Sequence, residues 1–451
     1  MEAARRPALA RLGTAPPAVC SSERSPASEP GCQGRILPFM PVLLLSLGAA
    51  LRRLLPALCL LPALLGCGTI LRLDAPAPET VITLPVLGLP NARFWPDGPP
   101  DALRQEVAAM LAHQRQRPAG PPATVNLLAV SGGGDNGAYG AGLLNGWTAS
   151  GTRPEFDVVT GISAGALIAP FAFLGPAYDA KLREVFTEVA PPDILQLRRI
   201  PLALLFNIAL ADTSPLYRLI ERQTDAAMLD AIASEYHRGR LLLIGTTNLD
   251  LQRPVVWNIG AIAASGHPQA LTLFRRILLA SASIPGAFPP VLIEVQDEGR
   301  TYHEMHVDGG AATQVFLYPP ALVARDLADR PAAMRPRTVW VIRNGRMDVE
   351  GANVNRGLFS IASRSIATLL HFSGVGDINR IFLTAQRDGM EFRLSFIGSN
   401  FTAERRQPFD QGFMRALFDY GAAKALEGTA WVTAPPAVGT VSATADRGSA
   451  R

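Results

Sequence analysis

The sequence predicts an α/β fold: a mostly parallel central sheet flanked by helices. Three observations carry this expectation. Residues 124–130 form a β-rich run that ends directly in Ser131-Gly132-Gly133-Gly134. Residues 154–160 read as a buried strand, followed by Gly161-Ile162-Ser163-Ala164-Gly165 and an apolar helical pattern over 166–173. Further strand candidates at 240–246, 254–258, 291–295 and 337–343 alternate with helical patterns at 216–236, 268–281, 356–372 and 410–427. Strands that alternate with helices bury a parallel sheet between two helical layers. With 48% of 451 residues hydrophobic, the chain can fill such a core.

Residues 1–39 are rich in Ala, Pro, Ser and Arg and precede a plausible start at Met40; they read as a misassigned or disordered extension. Residues 40–66 have the shape of a signal peptide. The pair Arg52-Arg53 leads into an apolar run that ends in Leu64-Leu65-Gly66-Cys67, too short for a spanning helix. The last four residues resemble a bacterial lipobox, which would make Cys67 a lipidation site and the protein a membrane-anchored envelope lipoprotein. A plain signal peptide (a secreted or periplasmic protein) and an uncleaved anchor are the alternatives. Residues 67–122 read as the lipidation site and a tether or entry segment, with a short helix at 101–114. A single folded domain is expected over 123–432, then a disordered tail over 433–451.

Charge and cysteine exclude several function classes. The net charge of +4 comes from residues 1–66, which hold seven Arg and three Glu; the remainder has 35 cationic and 35 acidic residues. A basic nucleic-acid-binding face is therefore not implied. All four cysteines lie at or before Cys67, so nothing later can form a disulfide, hold zinc through thiolate or act as a thiol nucleophile. No metal or other cofactor is implied, since no His/Cys cluster is present and Asp135 alone makes no site.

The run Gly161 to Gly165 has the Gly-x-Ser-x-Gly form of a nucleophile elbow. In that turn the residues two before and two after the serine must be small, and the hydroxyl is pushed out at the carboxyl edge of the sheet. Ser163 is accordingly the candidate nucleophile. Gly132, Gly133 and Gly134 allow close backbone approach, and N–H groups ahead of a helix gain from its positive end, so this loop suits an oxyanion. It could also cradle a phosphate, but it lacks both the Gly-x-Gly-x-x-Gly spacing and a following Gly-Lys-Ser/Thr. Two kinds of base are open. His371 is the only histidine placed well after a candidate Asp, as the usual Ser–Asp–His order requires, yet it sits in an apolar helical pattern. Asp308, at a strand end before Gly309-Gly310, is the other; a free aspartate is a weak base with a pKa of about 4.

Taken together, Gly132-Gly133-Gly134-Asp135-Asn136-Gly137, Gly161 to Gly165 and Asp308-Gly309-Gly310 resemble the patatin-like phospholipases in order and kind. Ser281-Ala282-Ser283-Ile284-Pro285-Gly286-Ala287-Phe288-Pro289-Pro290 resembles the block that precedes the family's aspartate strand. The similarity runs from about 124 to 430. It implies a patatin-like Ser–Asp hydrolase fold, with Ser163 as nucleophile, Asp308 as base and Gly132 to Gly134 as oxyanion donors, and no catalytic histidine. It also implies a lipid or acyl-ester substrate. One departure is Asn136, where many members carry Arg or Lys; it removes a cationic phosphate contact from the glycine loop. The segment 194–210, strongly apolar with Arg198-Arg199 inside, reads either as an interfacial lid or as a cap over the acyl pocket. The sequence therefore leads to an exported serine acyl hydrolase of the lipid esterase or phospholipase A type. A conventional Ser–His–Asp esterase and a non-catalytic lipid-binding lipoprotein are the alternatives.

Overall fold

The computed structural model describes residues 72–115, 124–194, 196–197, 211–319, 322, 335–349, 351 and 353–436. The leader through Cys67, most of the 194–210 segment and residues 437–451 lie outside the described residues.

The sheet is built around five parallel strands. These are β2 (Val125–Val130), β3 (Val158–Ile162), β4 (Leu241–Asn248), β8 (Arg337–Arg343) and β9 (Glu391–Phe396), in the order β9-β8-β2-β3-β4. Antiparallel strands extend it beyond β4: β5 (Arg253–Asn258) and then β1 (Arg93–Phe94). A second branch from β4 is the hairpin of β6 (Val291–Asp297) and β7 (Arg300–Asp308), with Thr246 opposite Asp308. Alternation along β2 shows why the sheet is covered twice. Leu128 and Val130 enter one core, while Leu127 and Ala129 enter the other.

On the first face lie α2 (Gly137–Ala149), α3 (Ala164–Leu174), α4 (Asp179–Thr187), α5 (Ser214–Gln223), α7 (Ile259–Ala264), α8 (Ala270–Ser281) and α10 (Gln411–Leu426). Gly142 and Gly146 let α2 approach α10 backbone to backbone; a methyl group at either would overlap the carbonyl oxygen of Phe418 or Ala422. The other face is covered by α1 (Asp101–Arg115) and the C-terminal half of α9 (Leu358–Arg387), whose Val375, Ile378, Ile381 and Ala385 share a core with Val339 and Val341 of β8.

Several elements differ from the sequence expectation. The pattern at 216–236 is two helices, α5 and α6 (Ala226–His237); the extended backbone of Thr224 ends the first, and Asp225 caps the second by accepting from Met228 N at 2.8 Å. The pattern at 356–372 continues to Arg387, because its buried apolar positions recur well past residue 372. Strand β3 starts only at Val158, where pairing with β4 begins. Order also begins upstream of residue 123. Val81, Val86, Ala92 and Trp95 are in the core. Arg93 forms a two-pronged ion pair with Glu304 (2.6 and 3.0 Å) and donates to the carbonyls of Val81 and Leu84.

This buried pair fastens the upstream segment to β7. Burial by itself would raise the Glu304 carboxyl, but hydrogen bonds from His306 and Arg93 outweigh it and hold the group at about 2. Removing one partner of a buried pair strands the other charge, at a cost of about 3–5 kcal/mol, whereas an apolar replacement of both is often tolerated. Arg93→Met should therefore lower unfolding stability by about 3–5 kcal/mol in denaturant titration, and Arg93→Met/Glu304→Met should recover most of it. Equal stability of the single and double variants would show that the pair does not act as a unit.

Candidate active site

Ser163 occupies the one-residue gap between β3 and α3 with φ 55° and ψ −124°. A non-glycine residue in that region stores about 1–3 kcal/mol of strain, which the surroundings must hold in place. Here they do so by packing. A methyl group at Gly161 would overlap the carbonyl oxygen of Gly165, and one at Gly165 would overlap that of Val130. The Ser163 N–H donates to Ser281 Oγ at 3.0 Å, and the Ser281 hydroxyl donates to the Gly245 carbonyl at 2.6 Å. The end of α8 and strand β4 therefore both hold the turn. Ser281 gave no signal in sequence beyond its place in the block before β6.

Asp308 ends β7 beside Thr246. Its N–H donates to the Ser283 carbonyl at 2.9 Å, and its Oδ1 accepts from Gly310 N at 2.7 Å. The carboxyl is buried, and burial pushes it up to about 7, against the opposing influence of the nearby Ser163 side chain and the Gly310 N–H. The structure thus brings Ser163 and Asp308, 145 residues apart in sequence, to the lining of one cavity.

The glycine loop is fixed from β8. Asn344 donates from Nδ2 to the Ser131 carbonyl and from its backbone N–H to Ser131 Oγ, both at 2.8 Å, and its Oδ1 accepts from Gly140 N. Gly133 lies against the Asn344 carbonyl so closely that any Cβ there would overlap it. Gly132 differs from its two neighbours, because its N–H already donates to the Gln314 carbonyl at 2.9 Å. Gly133 and Gly134 line the cavity in front of Ser163 and remain the available donors. This narrows the expected set of three, for a reason (a backbone partner 182 residues away) that the local sequence does not contain. Asp135 is buried and ion-paired to Arg405 at 3.0 Å, and accepts from Phe409 N.

Two hollows meet at Ser163. A cavity of about 760 Å³ is lined by Gly133, Gly134, Asp308 and four arginines (Arg343, Arg346, Arg364 and Arg405). A narrow crevice of about 50 Å³ leads away between Leu167, Val185, Leu216, Leu219 and Phe288, and is apolar apart from Ser163 itself. Ile194, the first residue of the apolar 194–210 segment, lines it too. Beyond the sheet, α9 projects: residue 374 packs beside Arg343 at the end of β8, so residues 358–372 extend about 20 Å further. That half exposes Leu358, Ile361, Ile366, Leu369 and Phe372.

The histidines separate clearly. His306 is buried on Thr246 and Glu304, and His303 accepts from Leu73 N, so both serve the upstream segment and the sheet. His371 lines the large cavity from α9, and Ser163 and Asp308 line the same cavity. Among the described residues, no group of three or more His, Cys, Asp or Glu is placed to hold a metal ion, and no helix is long and apolar enough to cross a membrane.

Residues 128–321 match the family model of the patatin-like phospholipases. The matched span contains the glycine loop, the elbow and Asp308, and stops short of β8, α9 and α10. The similarity is to a family of lipid acyl hydrolases. The chain is also similar in structure to VipD from Legionella pneumophila, at 10% identity and a TM-score of 0.34, over 69% of this chain and 68% of that one. No curated protein matches it.

The raised Asp308 has a consequence for stability. Its folded value of about 7 lies above the unfolded one of about 3.8. The protonated form is therefore favoured in the fold, and stability from this group is complete below about pH 4 and lost as pH rises through 7. Asp308→Asn should leave stability at about pH 3 nearly unchanged and raise it at pH 8, by up to about 4 kcal/mol. A variant no more stable than wild type at pH 8 would show that Asp308 ionises as it does in water.

Proposed function

We propose that the chain is a serine acyl hydrolase acting on lipid esters, with Ser163 as nucleophile and Asp308 as its base. The observation that carries this reading is the strained Ser163, which shares a cavity wall with a buried carboxyl at the junction of an apolar crevice and that arginine-lined cavity. The crevice suits an acyl chain, and the cavity suits the polar remainder of a lipid.

In this mechanism the Ser163 oxygen attacks the ester carbonyl while its proton passes to Asp308. A carboxylate poised near neutral pH serves as a base there, and then as the acid that protonates the departing alcohol. The N–H groups of Gly133 and Gly134 receive the developing oxyanion; each such donor contributes about 3–4 kcal/mol at the transition state. Collapse leaves an acyl-Ser163 ester and the free alcohol. Water, deprotonated by Asp308, then attacks the acyl carbon, releasing the fatty acid and restoring both groups. The exposed apolar half of α9 supports an aggregated lipid substrate, since residues 351–376 carry Arg356 and Arg364 and no acid. Envelope anchoring through a lipidated Cys67 belongs to the same proposal.

The test is turnover of phospholipid vesicles beside a soluble ester of the same acyl length. Ser163→Ala should abolish both, and Asp308→Asn should lower both by about 10²–10⁴. His303→Ala/His306→Ala/His371→Ala should retain turnover wherever it folds, and Leu358→Ser/Leu369→Ser should reduce vesicle turnover more than ester turnover. Turnover that survives Ser163→Ala would refute the hydrolase reading, and loss caused by His371→Ala alone would replace Asp308 as the base.

A further inference from the structure

Four buried arginines can be compared. Arg93 is held by Glu304 and two carbonyls. Arg153 is held by Asp179 and the Ala172 carbonyl. Arg240 is held by Glu235 and the carbonyls of Phe156 and Phe173. Arg343 is the exception. It is only 5% exposed, yet among the described residues its guanidinium makes no hydrogen bond and no ion pair, and its Nε is buried without a partner.

A guanidinium offers five donors, and withdrawing it from water unsatisfied costs several kcal/mol. Burial lowers Arg343 to about 10, opposed by the charge of Asp377, so it remains a cation at neutral pH. Asp377 does not satisfy it. Its oxygens are taken by Thr313 Oγ1, the N–H groups of Gln314 and Val315, and Arg380. The room around Arg343 is made by glycine: a Cβ at Gly374 would lie 2.7 Å from its Cζ, and one at Gly345 would lie 3.2 Å from Nε.

This cation lines the cavity that holds Ser163 and Asp308. It sits at the carboxyl end of β8, next to the strand that carries the glycine loop, where open parallel sheets bind ligands. The glycine loop itself brings no cation, because Asn136 stands there. The other three cavity arginines are already engaged: Arg405 by Asp135, Arg346 by the carbonyls of Gly398 and Phe401, and Arg364 in an interaction of its own.

We propose that Arg343 binds the phosphate of a phospholipid substrate while its ester lies at Ser163. The proposal rests on the hydrolase reading above and names the substrate class. A planar fork of donors matches two phosphate oxygens at once, and the partners missing from the guanidinium would be supplied by that group.

The experiment measures binding and catalysis separately in the full chain. Binding is read as the rise in Tm with dodecyl phosphate, dodecanol or inorganic phosphate. Catalysis is read as kcat and KM on a phosphatidylglycerol and on a neutral ester of the same acyl length. Wild type should be stabilised by dodecyl phosphate well beyond dodecanol, and little by inorganic phosphate alone. Arg343→Met should erase that preference and lower the phospholipid-to-ester ratio of kcat/KM by about 10–100-fold, with Arg343→Lys restoring part of it. Gly374→Ala, which pushes on the guanidinium without deleting it, should act in the same direction and serves if Arg343→Met does not fold. An unchanged preference in these variants would overturn the proposal, as would equal losses on both substrates. Stabilisation by inorganic phosphate as strong as by dodecyl phosphate would make this a free-anion site and overturn it too. A wild type that hydrolyses neither substrate would refute the hydrolase reading alone, because the Tm arm still decides the phosphate site.

Discussion

Every part of this site depends on one backbone conformation, Ser163 held at φ 55° between a strand and a helix. The turn forbids side chains at Gly161 and Gly165 and presses against the end of β2, so the glycine loop must begin there. The same turn is anchored through Ser281 to the Gly245 carbonyl. Gly245 is also the point that Gly309 packs against, with a would-be Cβ 2.6 Å from its oxygen. One residue of β4 therefore spaces the two halves of the Ser163–Asp308 pair. Strain at the serine and the position of the carboxyl are consequences of a single packing arrangement.

In the proposed mechanism, burial supplies the chemistry. An aspartate in water is too weak a base to activate an alcohol near neutrality. Withdrawn from solvent with a hydrogen bond from Gly310 N–H in place of hydration, Asp308 rises to about 7. The fold carries that cost at a position where a neutral residue would be easier to bury. Strained and destabilising groups persist where function uses them. Arg343, buried in the lining of the same cavity with its Nε unpartnered, carries the same kind of cost with the opposite charge.

The parts legible in sequence were those determined by local sterics. Gly161, Ser163 and Gly165 are readable because the turn admits few residue types, and most strands and helices because their apolar periods are strong. Asp308 became readable only through the three-motif resemblance; on its own it is an Asp-Gly turn. What stayed hidden involves partners far along the chain. Gln314 takes the N–H of Gly132, Asn344 clamps Ser131, and Arg343 reaches the cavity from a strand that reads only as β-rich. The break at Asp225 was masked by a continuous apolar pattern, and β9 was missed beside its long preceding helix. The lipobox at Cys67 and the apolar 194–210 segment remain expectations.

The central claim, that a buried Asp308 activates Ser163, is tested most directly by the pH dependence of Ser163 inactivation by a fluorophosphonate. The account predicts a rate that rises through a single ionisation near pH 7, the value burial gives Asp308, with the same profile in His371→Ala and a flat, strongly reduced rate in Asp308→Asn. A profile preserved in Asp308→Asn and abolished by His371→Ala would contradict it.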